Sequence, residues 1–318
     1  MPADVGSEIE VNANVRLSTN TTLPNELLGD IFILLYETVE GEDPLRSTAD
    51  LTSLTLSHVC QQWRRVSIHI SKLWSLFSVH SLDQKELFFL FLSRSGECRT
   101  HVRMLASCIT GPKDTTLIIR PVHAFQIRSL TFDHAALIPF VLVSPEARSS
   151  LHLDSLSIQF SSHHQGPPIP NIFMQTKRLI LSRMNTLARI EQPATPITDL
   201  CLETTDLSLV AKLVKLPYFE ITTLELRGIT GWRIEPPTLL SHLTSLSLHH
   251  CMPWMWQDLP GSFRCPSLRS LSVNICDRNF DPVPGEHRFV RDFVSQLVWL
   301  YQSCFWNTPS FLFPLAVT

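Results

Sequence analysis

Glycine is scarce in this chain, with 10 residues among 318. That scarcity disfavours folds whose chemistry depends on glycine-rich phosphate loops, and neither G-x-x-x-x-G-K-S/T nor G-x-G-x-x-G occurs. The eight cysteines form no C-x-x-C pair, so the usual spacing of a zinc framework is missing. There is no G-x-S-x-G elbow, H-E-x-x-H helix or kinase phrase, and no spacing that sets a base beside a nucleophile. An enzyme is not expected, and neither is a cofactor. An excess of charge is also missing. A net charge of −3 and a pI near 6.5 give no electrostatic reason to expect nucleic acid or an anionic membrane as partner.

The first twenty residues have neither the basic start nor the apolar stretch of a secretory signal. The protein is therefore expected in the cytoplasm or nucleus, not secreted, with its cysteines as reduced thiols. From Phe293 onward no residue is formally charged, yet Gln296, Gln302, Asn307, Pro309 and Pro314 interrupt the stretch. No clean run of about 18 apolar residues remains there, so no membrane span is expected. What is present is the composition of a folded chain: 44% hydrophobic residues and 17% charged, over a length that exceeds one typical domain.

The most informative stretch runs from Leu23 to Phe77. It opens LPNELLGDIFILLY and closes LTLSHVCQQWRRVSIHISKLWSLF, two helical patterns joined by a polar connection from Glu37 to Asp50. Pro24 suits a first helical turn, where a missing N–H costs nothing, and Glu26 favours the dipole there. Leu27, Leu28, Ile31, Phe32, Leu34 and Leu35 cover well over half of the first helix's circumference. The second pattern makes Leu54, Val59, Cys60, Trp63 and Val66 apolar, with Leu73 and Trp74 following a break at His69–Lys72. So small a helical unit has no deep core of its own and needs something to cover its apolar face.

These residues resemble the F-box, the adaptor-docking module of cullin-type ubiquitin ligases. L-P-x-E-L-L-x-x-I-F, then V-C-x-x-W-R and later L-W, follow in the family's order, with a longer connection than compact members have. The resemblance implies docking on a Skp-type adaptor through Leu23, Pro24, Leu27, Leu28, Ile31, Phe32, Val59, Cys60 and Trp63.

From Ile127 onward one phrase recurs: apolar, two residues, Leu, one residue, apolar. It reads Ile127–Leu130–Phe132, Leu153–Leu156–Ile158, Ile197–Leu200–Leu202, Ile221–Leu224–Leu226 and Leu243–Leu246–Leu248, with weaker copies at Leu179–Leu181 and Leu268–Leu271–Val273. Central leucines lie roughly 21 to 26 residues apart, and residues two apart share one strand face. Three positions after each phrase stands a small or apolar residue: Ala135, Ser161, Met184, Thr205, Ile229, Cys251 or Cys276. The pattern resembles leucine-rich repeats. Asp206 is expected to cap a short helix over Leu207–Leu216, and Gln84–Ser95 reads as a helix stopped by Gly96, before a first degenerate strand at Val102 and Met104.

The expected fold class is α/β: an N-terminal helical F-box followed by a leucine-rich-repeat solenoid with a parallel sheet on its concave face. The expected divisions are a flexible N-terminus (1–20), the F-box (21–80), a linking helix with a degenerate first repeat (81–105), repeats (106–276) and a C-terminal cap or tail (277–318), where Phe289, Phe293, Leu297 and Leu300 could form one helix. Residues flanking the last apolar position of each phrase face outward. They put Glu203, Glu225, Arg227 and His249 on one polar surface, the candidate substrate-binding residues. His249, His250 and Cys251 stand together, but Cys251 and Cys276 are already explained as turn residues, and no metal is expected.

The function these resemblances imply is that of a substrate-recognition subunit of a cullin–RING ligase. Its partners are the Skp-type adaptor, the cullin–RING ligase reached through it, and an unknown protein substrate. A small-molecule receptor on the same repeats, or an interaction scaffold outside any ligase, are the alternatives.

Overall fold

The computed structural model of the chain describes residues 23–42, 49–110, 116–161, 167–184, 186, 190–192, 196–217, 219–229, 238–250 and 263–274. The expected N-terminal tail, the 277–318 segment, Cys251 and Cys276 lie outside the described residues.

Three helices come first: α1 (Asn25–Glu42), α2 (Ala49–Val59) and α3 (Gln61–His69). The α1 helix starts directly after Pro24, whose carbonyl accepts from the Leu28 N–H at 3.0 Å. The expected Glu37–Asp50 connection is helical at both ends, because α1 runs on to Glu42 and α2 begins at Ala49. The closing pattern, read as one segment, is two helices. Cys60 adopts extended geometry between them and caps α3, its Sγ accepting from the Trp63 N–H at 3.5 Å. Gln62 Nε2 donates to the Leu23 carbonyl and to Asn25 Oδ1, tying α3 to the start of α1.

The remaining elements are mostly strands, with a few short helices among them. In chain order they are β1 (Leu76–Val79), α4 (Lys85–Ser95), β2 (Thr100–Met104), β3 (Leu117–Ile119), α5 (Pro121–Ala124), β4 (Ile127–Phe132), β5 (Val141–Val143), β6 (Leu153–Gln159), β7 (Thr176–Ser182), β8 (Ile197–Glu203), α6 (Leu207–Leu213), β9 (Phe219–Arg227), β10 (Thr238–Leu239), β11 (Ser245–His249), β12 (Phe263–Arg264) and β13 (Ser270–Asn274). Nine of the strands form one parallel sheet in the order β1-β2-β4-β6-β7-β8-β9-β11-β13. Each strand of that sheet pairs with the next one along the chain, so the fold is α/β with a large, sequentially ordered parallel sheet.

Period-2 alternation sets the register. Leu130, Leu156, Leu179, Leu200, Leu224, Leu246 and Leu271 lie side by side across adjacent strands. A second row, Phe132–Ile158–Leu181–Leu202–Leu226–Leu248–Val273, runs beside it. The first row is buried from Leu130 to Leu246 and the second from Phe132 to Leu248. A one-residue slip would turn both rows to solvent, so burial itself pins the pairing.

Beyond the strands the chain turns in a repeated way. Arg183, Thr204, Gly228 and His250 each follow the last residue of a strand, and all four have φ between 50° and 58°. The amides of Arg183, Thr204 and Gly228 continue the ladder, donating to the carbonyls of Glu203, Arg227 and His249 at 2.8–2.9 Å. The left-handed turn drives the next residue inward: Met184, Thr205 and Ile229 are buried. These are the small or apolar positions expected after each phrase, and Ala135 is buried likewise.

Two features differ from expectation. The sheet begins at Leu76, inside the stretch assigned to the helical module, and Val102 and Met104 belong to its second strand. The strand Leu76–Val79 reads LFSV and lacks the leucine phrase, which hid it. The α6 helix, capped as expected by Asp206 Oδ1 accepting from the Ser208 N–H at 2.7 Å, ends at Leu213, short of Pro217. Apart from the main sheet, β3 pairs with β5 and β10 with β12, two small parallel sheets without sequence signal.

The helices and the sheet share one hydrophobic core, running from Leu28, Phe32 and Tyr36 through Trp74, Phe77, Phe88 and Phe91 to Leu268. Trp74 is the joint. Its Nε1 donates to the Ser67 carbonyl at 2.9 Å, its ring meets Phe91 edge-on at 4.9 Å, and Arg94 lies 4.3 Å over it. The helical unit thus shares its core with the start of the sheet, where α2 packs on β1. Among the described residues no helix is long and apolar enough to cross a membrane.

Candidate functional site

The α1 helix is apolar nearly all round, and the structure divides its faces. Leu28, Phe32 and Tyr36, at i, i+4 and i+8, point into the shared core, and the Tyr36 hydroxyl lies 3.2 Å from Ser75 Oγ. Leu27, Ile31, Leu34 and Leu35 form a stripe left open to solvent, and Leu23 and Val59 are exposed as well. Leu27 keeps 53% of its surface while Leu28, its neighbour, keeps 2%. This corrects the candidate docking set. Leu28 and Phe32 are structural and offer nothing to a partner. Trp63 is half-buried, its ring 5.0 Å from Phe32, so it braces α3 against α1. Leu23, Pro24, Leu27, Ile31, Val59 and Cys60 remain exposed.

Beside α1 a groove of about 440 Å³ separates it from α3. Glu26 and Asp30 line it from α1, and Arg65 and His69 from α3, over an apolar floor that includes Ile33 and Val66.

The second surface is the polar face of the main sheet. Ser182, Glu203, Arg227, His249 and Asn274 stand in one register row, and Ser157, Ile180, Cys201, Glu225, Ser247 and Ser272 in the next. Of the four candidates, Glu225, Arg227 and His249 touch. Arg227 Nε donates to Glu225 Oε1 at 2.7 Å, and His249 Nε2 stands 3.3 Å from the same oxygen. Glu203 lies opposite Arg227 in register and accepts from the Ser182 hydroxyl at 2.8 Å. Arg178 was not anticipated. It comes from β7, reaches across β8 and donates through Nη2 to Glu225 Oε2. It stands in a third outward row, ahead of the positions flanking the last apolar residue, where only the period-2 rule could have flagged it.

Glu225 is compensated by two guanidinium groups, so it does not simply face solvent as the outward pattern implies. The Glu225 carboxylate is recessed and is the hub of the cluster, so reversing its charge would leave two arginines unmatched. A second ion pair, unforeseen, joins Arg103 Nε and Nη2 to the two Asp133 oxygens at 2.9 and 3.0 Å.

Burial shifts the titratable groups nearby. It lowers the His249 imidazole below its ordinary value, with Glu225 opposing and Arg227 adding to the effect. It pushes the Cys201 thiol up to about 11, and Glu225 adds to that rise. Cys108, also buried, is raised to about 11 by desolvation. Neither thiol is a ready nucleophile. Cys60 is exposed. A maleimide reagent is therefore expected to modify Cys60 in the native protein and to reach Cys108 and Cys201 only after denaturation. Peptide mass mapping of the three sites reads the difference, and equal native labelling would contradict the burial described. Among the described residues no three His, Cys, Asp or Glu side chains are grouped to hold a metal ion.

No family model matches the chain, and no curated protein or solved structure is significantly similar to it.

Proposed function

We propose that the chain is a substrate-recognition subunit of a cullin–RING ubiquitin ligase. Its N-terminal helices act as an F-box that docks on a Skp-type adaptor, and its sheet is the concave face of a leucine-rich-repeat solenoid that holds the substrate protein. The observation that carries this reading is the open stripe of Leu27, Ile31, Leu34 and Leu35 on a helix whose other face is already packed. Clustered exposed apolar side chains on a folded chain mark an interaction site. They lie in the segment whose L-P-x-E-L-L-x-x-I-F and V-C-x-x-W-R phrases resemble the F-box.

In this reading the chain makes no bond itself. It raises the effective concentration of a target lysine at the chemistry of another subunit. The shared core suits that role, because helices and sheet joined through Trp74 and Phe77 leave no free hinge between the docked adaptor and the held substrate. The protein works by proximity, as a specificity subunit and not a catalyst, in the cytoplasm or nucleus.

Co-purification from cells tests the proposal. The full chain is expected to bring down the adaptor and the cullin, and the Leu27→Asp/Ile31→Asp variant neither. Capture of both by the double variant at the unaltered level would remove the docking surface from the account.

A further inference from the structure

The Glu225 cluster has an inside and an outside. The Glu225 side chain keeps 13% of its surface, while Arg178 and Arg227, which grip it from β7 and from its own strand, keep 43% and 44%. The anion is recessed and the cations stand outermost. Each guanidinium has five N–H donors in a planar fork. Arg178 uses Nη2 on Glu225 and also hydrogen-bonds the Cys201 thiol, and Arg227 uses Nε and Nη2. Donors on both forks remain for a ligand, and the Glu225 carboxylate holds both forks in place before any ligand arrives.

The surroundings are mainly neutral hydroxyls, with Asp199 beside Arg178 in register. Ser247, half-buried, is paired in register with Glu225, and Ser272 lies one strand farther. On the other side Ser155 and Ser157 face outward from β6, the Ser155 hydroxyl donating to Ser129 Oγ at 2.8 Å. Hydroxyls donate and accept, so they suit the amides and carbonyls of an extended backbone without selecting charge. Glu203 is occupied by the Ser182 hydroxyl and by its place opposite Arg227.

We propose that the polar face takes an acidic peptide segment, whose carboxylates meet the free donors of Arg178 and Arg227 while its backbone runs over the flanking serines. This rests on the reading of the sheet as the substrate-holding face and names the class of substrate it holds. Arginine forks favour carboxylates because two parallel N–H donors match two oxygens, and charge-assisted bonds of this kind are stronger than neutral ones. Arg103 is the internal control. Its guanidinium pairs with both oxygens of Asp133, and its side chain keeps only 11% of its surface.

The test uses the full chain and two fluorescein-labelled decapeptides, one alternating Glu and Ser, the other Lys and Ser. Fluorescence anisotropy is expected to show saturable binding of the Glu peptide and none of the Lys peptide. Arg178→Gln and Arg227→Gln are each expected to weaken the Glu peptide at least about fivefold, and Arg103→Gln to leave it unchanged. Binding of the Lys peptide as tight as or tighter than that of the Glu peptide would overturn the proposal. So would Glu-peptide binding that both variants retain, or its absence from the wild-type chain. Adaptor capture through the α1 stripe is measured on the same samples. Its survival alongside a failed peptide result confines the failure to this inference, and its loss strikes the ligase reading instead.

Discussion

Leu27→Asp is expected to leave the protein folded and to abolish adaptor capture, whereas Leu28→Asp is expected to unfold the N-terminal helices. The two positions are adjacent, equally apolar and chemically identical, so only their faces on α1 separate the outcomes. Leu27 is open to water, and a carboxylate there stays hydrated. Surface changes of that sort usually stay within about 0.5 kcal/mol of the parent stability. At an interface the same charge meets an apolar partner and is stripped of water, and an affinity loss of at least about 100-fold is expected from a central leucine position. Leu28 is packed against the shared core with Phe32 and Tyr36. A carboxylate there has no hydrogen-bond partner and costs several kcal/mol, roughly the size of a domain's whole margin. Urea unfolding followed by circular dichroism separates the two variants. Equal stability would mean that the division of the helix into a packed and an open face is wrong.

The second large effect is expected at Trp74. Trp74→Ala removes a fully buried ring, its hydrogen bond to the Ser67 carbonyl, its edge contact with Phe91 and the Arg94 guanidinium above it. Large-to-small changes of this kind cost about 3–5 kcal/mol. Because helices and sheet share a core at this residue, both are expected to lose stability together, in one shifted transition. A sheet that melts at the parental urea concentration while the helices melt early would show two independent cores.

Much of the sheet was legible in the sequence, for a physical reason. A strand buried on one face must repeat with period 2, so Leu224 and Leu226 announce both a strand and its inward side. The stacking of such phrases also predicts the register, and with it the neighbourhood of Glu225, Arg227 and His249. The strand Leu76–Val79 stayed hidden because four residues with a serine at the third carry no such rhythm. Arg178 stayed hidden because its guanidinium acts two strands away, over Cys201, and a side-chain reach of that length leaves no local trace.

The N-terminal helices show the opposite limit. A helix with Leu27, Leu28, Ile31, Phe32, Leu34 and Leu35 is apolar over most of its circumference, so periodicity cannot say which face packs. That choice is made by α2, α3 and the turn at Ser71–Trp74, residues up to some forty positions downstream. Leu28 and Phe32 were therefore grouped with the docking residues, although α2, α3 and the turn at Ser71–Trp74 bury them. Cys60 is exposed, and its sulfur also caps α3, a role the apolar pattern did not show.

Calorimetric titration of the purified full chain with a Skp-type adaptor tests the central claim most directly. The account predicts one adaptor bound per chain, with a negative heat-capacity change from burying the Leu27–Ile31–Leu34–Leu35 stripe, and no detectable heat with the Leu27→Asp/Ile31→Asp variant. No binding by the wild-type chain, or undiminished binding by the variant, would contradict it.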